Sequence, residues 1–271
     1  MRRLLPELRM RRLAGATAAT AGLVLLLGAC DATEPKLPER TSEAKSSDFP
    51  AADRPVATIV SSRWSTEEAR DRLNEAEEVM DGAGIAKGMT VADIGAGEGY
   101  YTIRLTQRVG PEGRVLAEDI VPEVRDALAQ RVARERLDNV SVRLGKADDP
   151  RLPEASFDRV LMVHMYHEIA APYAFLWHLR PSLRPGGLVV VVDANRATQN
   201  HGTPPALLRC EFEAVGYQQV SMLPMPSAGG YLATFQAVGP RPEPSAIRPC
   251  RLNTSGPKAP ATPAPARATA D

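Results

Sequence analysis

The chain has 271 residues, which is enough for one sizeable α/β domain and additional terminal segments. Lysine plus arginine and aspartate plus glutamate each total 33, so the sequence has no basic excess and a nucleic-acid-binding function is not expected. Hydrophobic residues make up 44% of the chain, a proportion that allows a packed core.

The N-terminal residues predict export. Arg11 and Arg12 precede the apolar run LAGATAATAGLVLLLGAC, and this order of basic and apolar residues is typical of a secretory signal peptide, here residues 1–29. The sequence LLGAC resembles the lipobox of bacterial lipoproteins. That resemblance implies that Cys30 is lipidated and anchors the protein at the cell envelope. A plain cleaved signal peptide and an uncleaved anchor are the alternatives.

Composition divides the rest of the chain into three parts. Residues 30–52 are polar with scattered proline and serine, and they predict a tether. Residues 240–271 are rich in proline and alanine and predict a disordered tail, which leaves 53–239 as the folded domain. Cys210 and Cys250 could form a disulfide in an oxidising compartment or remain unpaired thiols.

Hydrophobic periodicity predicts a series of helices and strands within this domain. The first element is one amphipathic helix over 65–84, with Leu73, Ala76 and Met80 on its apolar face. The following segments alternate between strand and helix and close with two strands: 89–94, 100–110, 113–120, 122–137, 139–144, 157–163, 172–187, 188–193, 204–217, 218–223 and 231–238. Alternation of this kind predicts a doubly wound, mostly parallel seven-stranded sheet, and a final hairpin makes its last strand antiparallel.

A glycine-rich turn follows the first strand. Asp93, Gly95, Gly97 and Gly99 are spaced two residues apart, and glycines at this position let a ligand approach the backbone. A dinucleotide loop would need G-x-G-x-x-G; here the third glycine arrives one residue early, and Glu98 would repel a pyrophosphate. The pattern resembles the first motif of class I S-adenosylmethionine-dependent methyltransferases, whose ligand carries a sulfonium and an ammonium instead of a pyrophosphate.

Further segments carry the same resemblance over about residues 53–239. Asp119 ends the second strand and matches the family's ribose-binding acid, while strand alternation directs Glu118 to the opposite face. Ala147 and Asp148 match the family's adenine-contacting pair. The resemblance implies a Rossmann-like methyltransferase fold with S-adenosyl-L-methionine as cosubstrate.

The segment VHMYHEI after the fourth strand carries the candidate catalytic residues. His167 is the preferred base or acceptor-orienting group, with His164 and Tyr166 beside it. No metal site is predicted, because the order His-x-x-His-Glu matches neither zinc signature of this length. Residues after the fifth strand could line an acceptor pocket or cap the next helix: Asp193, Asn195, Arg196 and His201.

The sequence therefore predicts an exported, lipid-anchored methyltransferase that acts on a small-molecule acceptor. S-adenosylmethionine is made in the cytoplasm, so export raises an alternative, an envelope lipoprotein of the same fold that binds a ligand without methylating it. A dinucleotide-dependent oxidoreductase is disfavoured by the glycine spacing.

Overall fold

The computed structural model describes residues 44–59 and 66–251. The predicted signal peptide, Cys30, most of the tether and residues 252–271 lie outside the described residues. No helix among the described residues is long and apolar enough to cross a membrane.

The described residues form one seven-stranded sheet in the order β3-β2-β1-β4-β5-β7-β6. The strands are β1 (Thr90–Ile94), β2 (Arg114–Asp119), β3 (Val140–Leu144), β4 (Phe157–Val163), β5 (Leu183–Asp193), β6 (Tyr217–Met225) and β7 (Gly230–Ala237). Neighbouring strands from β3 to β5 are parallel, and β7 pairs antiparallel with both β5 and β6. The predicted doubly wound sheet with an antiparallel last strand is confirmed.

Helices cover both faces of this sheet. They are α1 (Glu67–Arg72), α2 (Glu75–Gly82), α3 (Tyr100–Val109), α4 (Pro122–Glu135), α5 (Pro172–Leu179) and α6 (Pro205–Ala214). Side chains of α2 and α3 pack with Val190 and Val192 of β5, whereas α5 and α6 pack with Val189 and Val191. Because successive side chains of a strand point to opposite faces, a strand buried on both faces must be apolar throughout, as the valine run of β5 is.

The single helix predicted over 65–84 is two helices. Asn74 has φ 56°, a left-handed conformation that ends α1 and starts α2 in a new direction. Leu73, predicted to be buried, is 58% exposed, while Ala76 and Met80 in α2 do pack into the core. The break therefore shifts the apolar face of the segment into its second half.

The packed unit extends beyond the predicted limits of 53 and 239 on both sides. Phe49 contacts Trp177 edge to face, with ring centroids 5.5 Å apart. Ile247 is buried in the same core cluster, so the first part of the predicted tail is ordered.

A disulfide links this C-terminal segment to the domain. Cys210 in α6 bonds to Cys250, and their Cα atoms are 6.0 Å apart. The sequence left open whether these two cysteines form a disulfide or remain unpaired thiols, and the structure has the disulfide.

Candidate functional site

A cavity of about 950 Å³ opens at the carboxyl ends of β1, β2 and β4. Strand order reverses beside β1, since β2 lies on one side and β4 on the other. Ligands of doubly wound sheets bind in the crevice at this switch point. The volume lies near the top of the ~300–1,000 Å³ range of ligand pockets, so there is room for more than one small molecule.

One end of the cavity, here named the glycine-loop end, is formed by Gly95, Gly97, Glu118 and Asp119. The Gly97 N–H donates to Asp119 Oδ2 over 3.0 Å, which joins the loop after β1 to the end of β2. Gly97 has φ 56°, and a Cβ added there would meet nothing within 4 Å. A bare main chain therefore faces open space in the wall of the cavity.

Asp93 lies at the base of this loop. It is almost completely buried and accepts a 2.6 Å hydrogen bond from Thr102 Oγ1 of α3. Burial raises the pKa of Asp93 to about 6, against the opposing effect of the Thr102 hydrogen bond.

Gly99, the third glycine of the predicted ligand loop, lies outside the cavity wall. It has φ 91° and directly precedes α3, and a Cβ there would come within 2.5 Å of Leu128 Cδ1. The structure therefore explains this glycine by the close packing of α3 against α4.

Glu118 borders the cavity together with Asp119, contrary to the expected opposite orientation. Alternation applies within a strand, and Asp119 is the last residue of β2, where its Oδ1 already accepts from the Val121 N–H in the following turn. Glu118 is 1% exposed, and its Oε1 has no hydrogen-bond partner among the described residues. Burial, with Asp119 nearby, raises the pKa of Glu118 to about 8.

The predicted adenine-contacting pair is divided between two places. Ala147 lines the cavity beside Lys146, whereas Asp148 is not part of the wall. The Asp148 carbonyl lies 3.0 Å from Nδ1 of His178 in α5, which ties this loop to the body of the domain.

The opposite end, named the histidine end, contains His164, His167, Glu168 and His201. Met165 joins the two ends, since a Cβ on Gly95 would lie 3.1 Å from Met165 Cγ. The segment after β4 thus packs directly against the glycine loop, as parallel neighbouring strands require.

A buried carboxylate at the end of β5 orients His167. Nδ1 of His167 lies 3.0 and 3.1 Å from the two carboxylate oxygens of Asp193. Asp193 also accepts from the Ala194 N–H and from Thr203 Oγ1, so it is fully hydrogen-bonded. A carboxylate at Nδ1 fixes the proton on that nitrogen and leaves Nε2 with its lone pair.

The other two predicted catalytic residues differ in position. His164 lines the cavity, and burial lowers its pKa to about 4. Tyr166 lies outside the wall: its hydroxyl donates to Glu211 Oε2 over 2.7 Å, and its ring packs against Phe212. Tyr166 is thus part of the core beneath α6 in this structure.

Sequence reasoning assigned no role to three residues that line the cavity: Glu67, Arg70 and Glu118. It left His201 open, and the structure places the His201 ring 5.4 Å from that of His167. Glu67 and Arg70 lie on α1 and Glu118 lies in β2, so no local motif predicts that they meet at the cavity.

The glycine-loop end suits a nucleoside with a positively charged tail. It offers exposed main chain at Gly97, the carboxylate of Asp119 and the buried carboxyl group of Glu118. The Asp119 carboxylate can accept hydrogen bonds from ribose hydroxyls, and it attracts a cation but repels a pyrophosphate.

Comparison with known proteins points to methyltransferases. Residues 91–187 match a family model described as "Methyltransferase domain". The chain is 31% identical over 123 residues to a protein-L-isoaspartate O-methyltransferase from Methanothrix thermoacetophila, covering 43% of this chain and 56% of that protein. The chain spans about half or less of the length of the curated relatives it matches.

Solved structures share the fold. A SAM-dependent methyltransferase from Aquifex aeolicus superposes with a TM-score of 0.54 at 22% identity, over 63% of this chain and 97% of that one. The [4+2]-cyclase SpnF superposes with a TM-score of 0.53 at 16% identity, over 72% of this chain and 90% of that one.

The fold, the glycine loop and the family match together support a class I S-adenosylmethionine-dependent methyltransferase domain. The cosubstrate of that class is S-adenosyl-L-methionine, as the sequence predicted.

Proposed function

We propose that this chain transfers a methyl group from S-adenosylmethionine to a small acceptor molecule. The observation that carries the proposal is the glycine-loop end, where the open main chain at Gly97 and the carboxylates of Glu118 and Asp119 line one cavity. When bound, the cosubstrate supplies a methyl carbon activated by its sulfonium.

Asp119 and Glu118 would hold the ribose hydroxyls, and the loop from Gly95 to Gly97 would lie against the amino-acid tail. Asp119 also fixes this loop through the Gly97 N–H. Ordered donors and acceptors reduce the entropy lost on binding, which favours this use of the loop.

His167 is the residue at the histidine end best suited to accept a proton from an acceptor hydroxyl or amine. The Asp193 carboxylate holds the ring by Nδ1, so Nε2 carries the lone pair. His164 is a weaker base, because a pKa of about 4 means that its ring binds a proton poorly at neutral pH.

The cavity wall also contains apolar side chains. Met165, Ile169 and Phe175 line it, and an apolar wall favours a small acceptor with a hydrophobic body. The proposed acceptor is therefore a mainly apolar small molecule that carries one ionisable hydroxyl or amine.

We propose in addition that the protein lies in the bacterial cell envelope, attached by lipid at Cys30. The Cys210–Cys250 disulfide supports this, because disulfides persist mainly in oxidising compartments outside the cytoplasm. Metabolic labelling with palmitate tests the anchor. Label that is lost in Cys30→Ser supports it, and label that persists in that variant contradicts it.

Calorimetric titration of the full-length chain tests cosubstrate binding. We expect S-adenosylmethionine to bind with micromolar affinity, NAD to bind more than tenfold more weakly, and Asp119→Ala to weaken S-adenosylmethionine binding by at least tenfold. Glu112→Gln, an exposed acid in the turn before β2, serves as the control and should bind as the wild type does. A folded protein that prefers NAD, or binds neither compound, would refute the assignment.

The alternative function is an envelope module that binds a ligand without methylating it. It is favoured by the likeness of this fold to that of a protein described as a cyclase, since one fold can carry different chemistry. Methyl-labelled S-adenosylmethionine incubated with an extract of small envelope molecules separates the two functions. Transfer of label that is lost in His167→Ala indicates an enzyme, whereas tight binding of an extract component without transfer indicates the module.

A further inference from the structure

We propose that His167, Glu168 and His201 form a divalent-metal site at the histidine end of the cavity. Each offers one ligand atom, two ring nitrogens and a carboxylate oxygen, and these atoms all lie within 4.8 Å of one another. All three residues line the cavity, so a bound ion would be accessible to a small molecule inside it.

His167 has the hydrogen bonding of a metal ligand. Its Nδ1 faces the Asp193 carboxylate at 3.0 Å, which directs the lone pair of Nε2 away from Asp193. Histidines that bind metals usually donate their second ring nitrogen to a carboxylate, carbonyl or water in this way. Asp193 is completely buried, and three separate donors hold it in place.

His201 is held in place by the loop that follows β5. The residue has φ 54°, an uncommon conformation for a side-chain-bearing residue, and it ends a short 3₁₀ turn, Thr198–Asn200. Thr198 Oγ1 donates to the Pro55 carbonyl on one side of His201, and Thr203 Oγ1 donates to Asp193 on the other. Asp193 thus contacts His167 directly and contacts the loop of His201 through Thr203.

The donor set selects a class of metal. Two neutral imidazoles and one carboxylate suit Zn²⁺, Co²⁺, Mn²⁺ or Fe²⁺, whereas Mg²⁺ and Ca²⁺ prefer oxygen ligands throughout. Three protein ligands leave one or more coordination positions for water or for an oxygen atom of a substrate.

A metal at this place would narrow the acceptor class, and this step rests on the proposed methyl transfer. The acceptor would then bind the ion through a hydroxyl, alone or with a neighbouring carbonyl or hydroxyl. With Nε2 of His167 bound to the ion, the ion and not His167 would activate the acceptor. It would lower the pKa of the coordinated hydroxyl, which would lose its proton to water, and the oxygen would take the methyl group as the demethylated cosubstrate leaves. Within the proposed class of mainly apolar acceptors, the expected acceptor is therefore one that carries a metal-binding hydroxyl, and an amine acceptor is not expected.

Cobalt provides the test, because it reports its ligands through its visible absorption. The full-length chain, purified without a histidine tag and stripped with a chelator, is titrated with Co²⁺. We expect one equivalent to bind with micromolar or tighter affinity. His201→Ala and Glu168→Gln should each weaken binding at least tenfold, and Asp193→Asn should weaken it about 10- to 100-fold, because the carboxylate that holds Nδ1 of His167 is lost.

The matched control is His178→Gln. His178 lies in α5 outside the cavity wall, so Co²⁺ binding should be unchanged in this variant. Because His201 is exposed, His201→Ala is expected to keep its near-ultraviolet circular dichroism, which verifies folding. Absence of Co²⁺ binding in the folded wild type, or equal binding in folded His201→Ala, would overturn the proposal. S-adenosylmethionine titration of the same samples is independent of this result, so failure of the metal site and failure of cosubstrate binding are distinguishable.

Discussion

The two ends of the cavity differ in how their residues are brought together. The glycine-loop end is built from β1, β2 and the turns that follow them, all within about 30 residues of chain. The histidine end joins the loop after β4 to the loop after β5 through Asp193 and Thr203. Chemistry that depends on main-chain geometry is encoded locally, while chemistry that depends on side-chain partners needs the tertiary fold.

The largest effect is expected for a substitution within the glycine-loop end. In Gly97→Arg the new side chain would extend into open space at the cavity wall, where the structure leaves room for a ligand. We expect S-adenosylmethionine affinity to fall at least ~1,000-fold, or about 4 kcal/mol. Calorimetric titration measures this loss.

The matched control for that variant is Gly186→Arg. Gly186 also has a positive φ and also leaves open space around a Cβ, but it lies in β5 outside the cavity. If both variants lose binding equally, backbone strain explains the result and the glycine loop has no special role.

The difference between the two ends of the cavity also explains which site residues could be predicted from the sequence. Asp93, Gly95, Gly97 and Asp119 were predicted from short motifs and their resemblance to a known family, and all four line the cavity, because a turn between a strand and a helix is a local feature. Tyr166 belongs to the same short segment as His167, yet it points into the core, as its hydrogen bond to Glu211 and its packing against Phe212 show. Short 3₁₀ turns do not have a periodicity that separates inward from outward side chains.

The same reasoning applies to the fold. The alternation of strands and helices predicted a doubly wound, mostly parallel sheet, and the structure confirms it, since apolar runs and parallel crossovers permit few arrangements. The break at Asn74 and the packing of Phe49 and Ile247 were not predictable, because both depend on surfaces that form only after folding. From composition alone, residues 30–52 were predicted to be a tether and residues 240–271 a disordered tail.

The second prediction concerns the disulfide between α6 and the C-terminal segment. Cys210 and Cys250 are separated by 40 residues, and in the chain-entropy account closing a loop of this size stabilises the fold by about 3–4 kcal/mol. The double variant Cys210→Ser/Cys250→Ser should lose most of this free energy of unfolding. Urea denaturation measures it.

Reduction provides the control for the disulfide. Wild-type protein in dithiothreitol should match the double variant, and the double variant should not respond to reductant. Equal stability of oxidised wild type and double variant would contradict the expected contribution of this link.

The third prediction uses the raised pKa of Glu118. A buried acid whose folded pKa is about 8, against about 4.5 in the unfolded chain, favours unfolding as the pH rises between these values. Glu118→Gln removes this ionisation. We expect the variant to equal wild type within about 1 kcal/mol at pH 5 and to be more stable by about 2–3 kcal/mol at pH 7 and by more at pH 9, since the wild type loses about 1.4 kcal/mol per pH unit between the two pKa values.

Denaturation of both proteins across this pH range, without ligand, measures the difference. Glu112→Gln, at an exposed position, should show no such pH-dependent gain. A gain for Glu118→Gln that is the same at pH 5 and pH 9 would show that the carboxyl is not held protonated by burial.

The smallest effect is expected for a substitution of Gly99, which tests whether this glycine is needed for packing or for contact with the ligand. Gly99→Ala introduces a Cβ 2.5 Å from Leu128 Cδ1 and also carries the strain of φ 91°, so we expect a loss of about 2 kcal/mol in stability. Gly88→Ala carries a similar strain at φ 81° but meets no neighbour, and it should lose only about 1 kcal/mol. Because Gly99 lies outside the cavity wall, the affinity for S-adenosylmethionine should stay within about threefold of wild type. A tenfold loss of affinity with unchanged stability would show instead that Gly99 contacts the ligand, and the glycine-loop end would then extend to the start of α3.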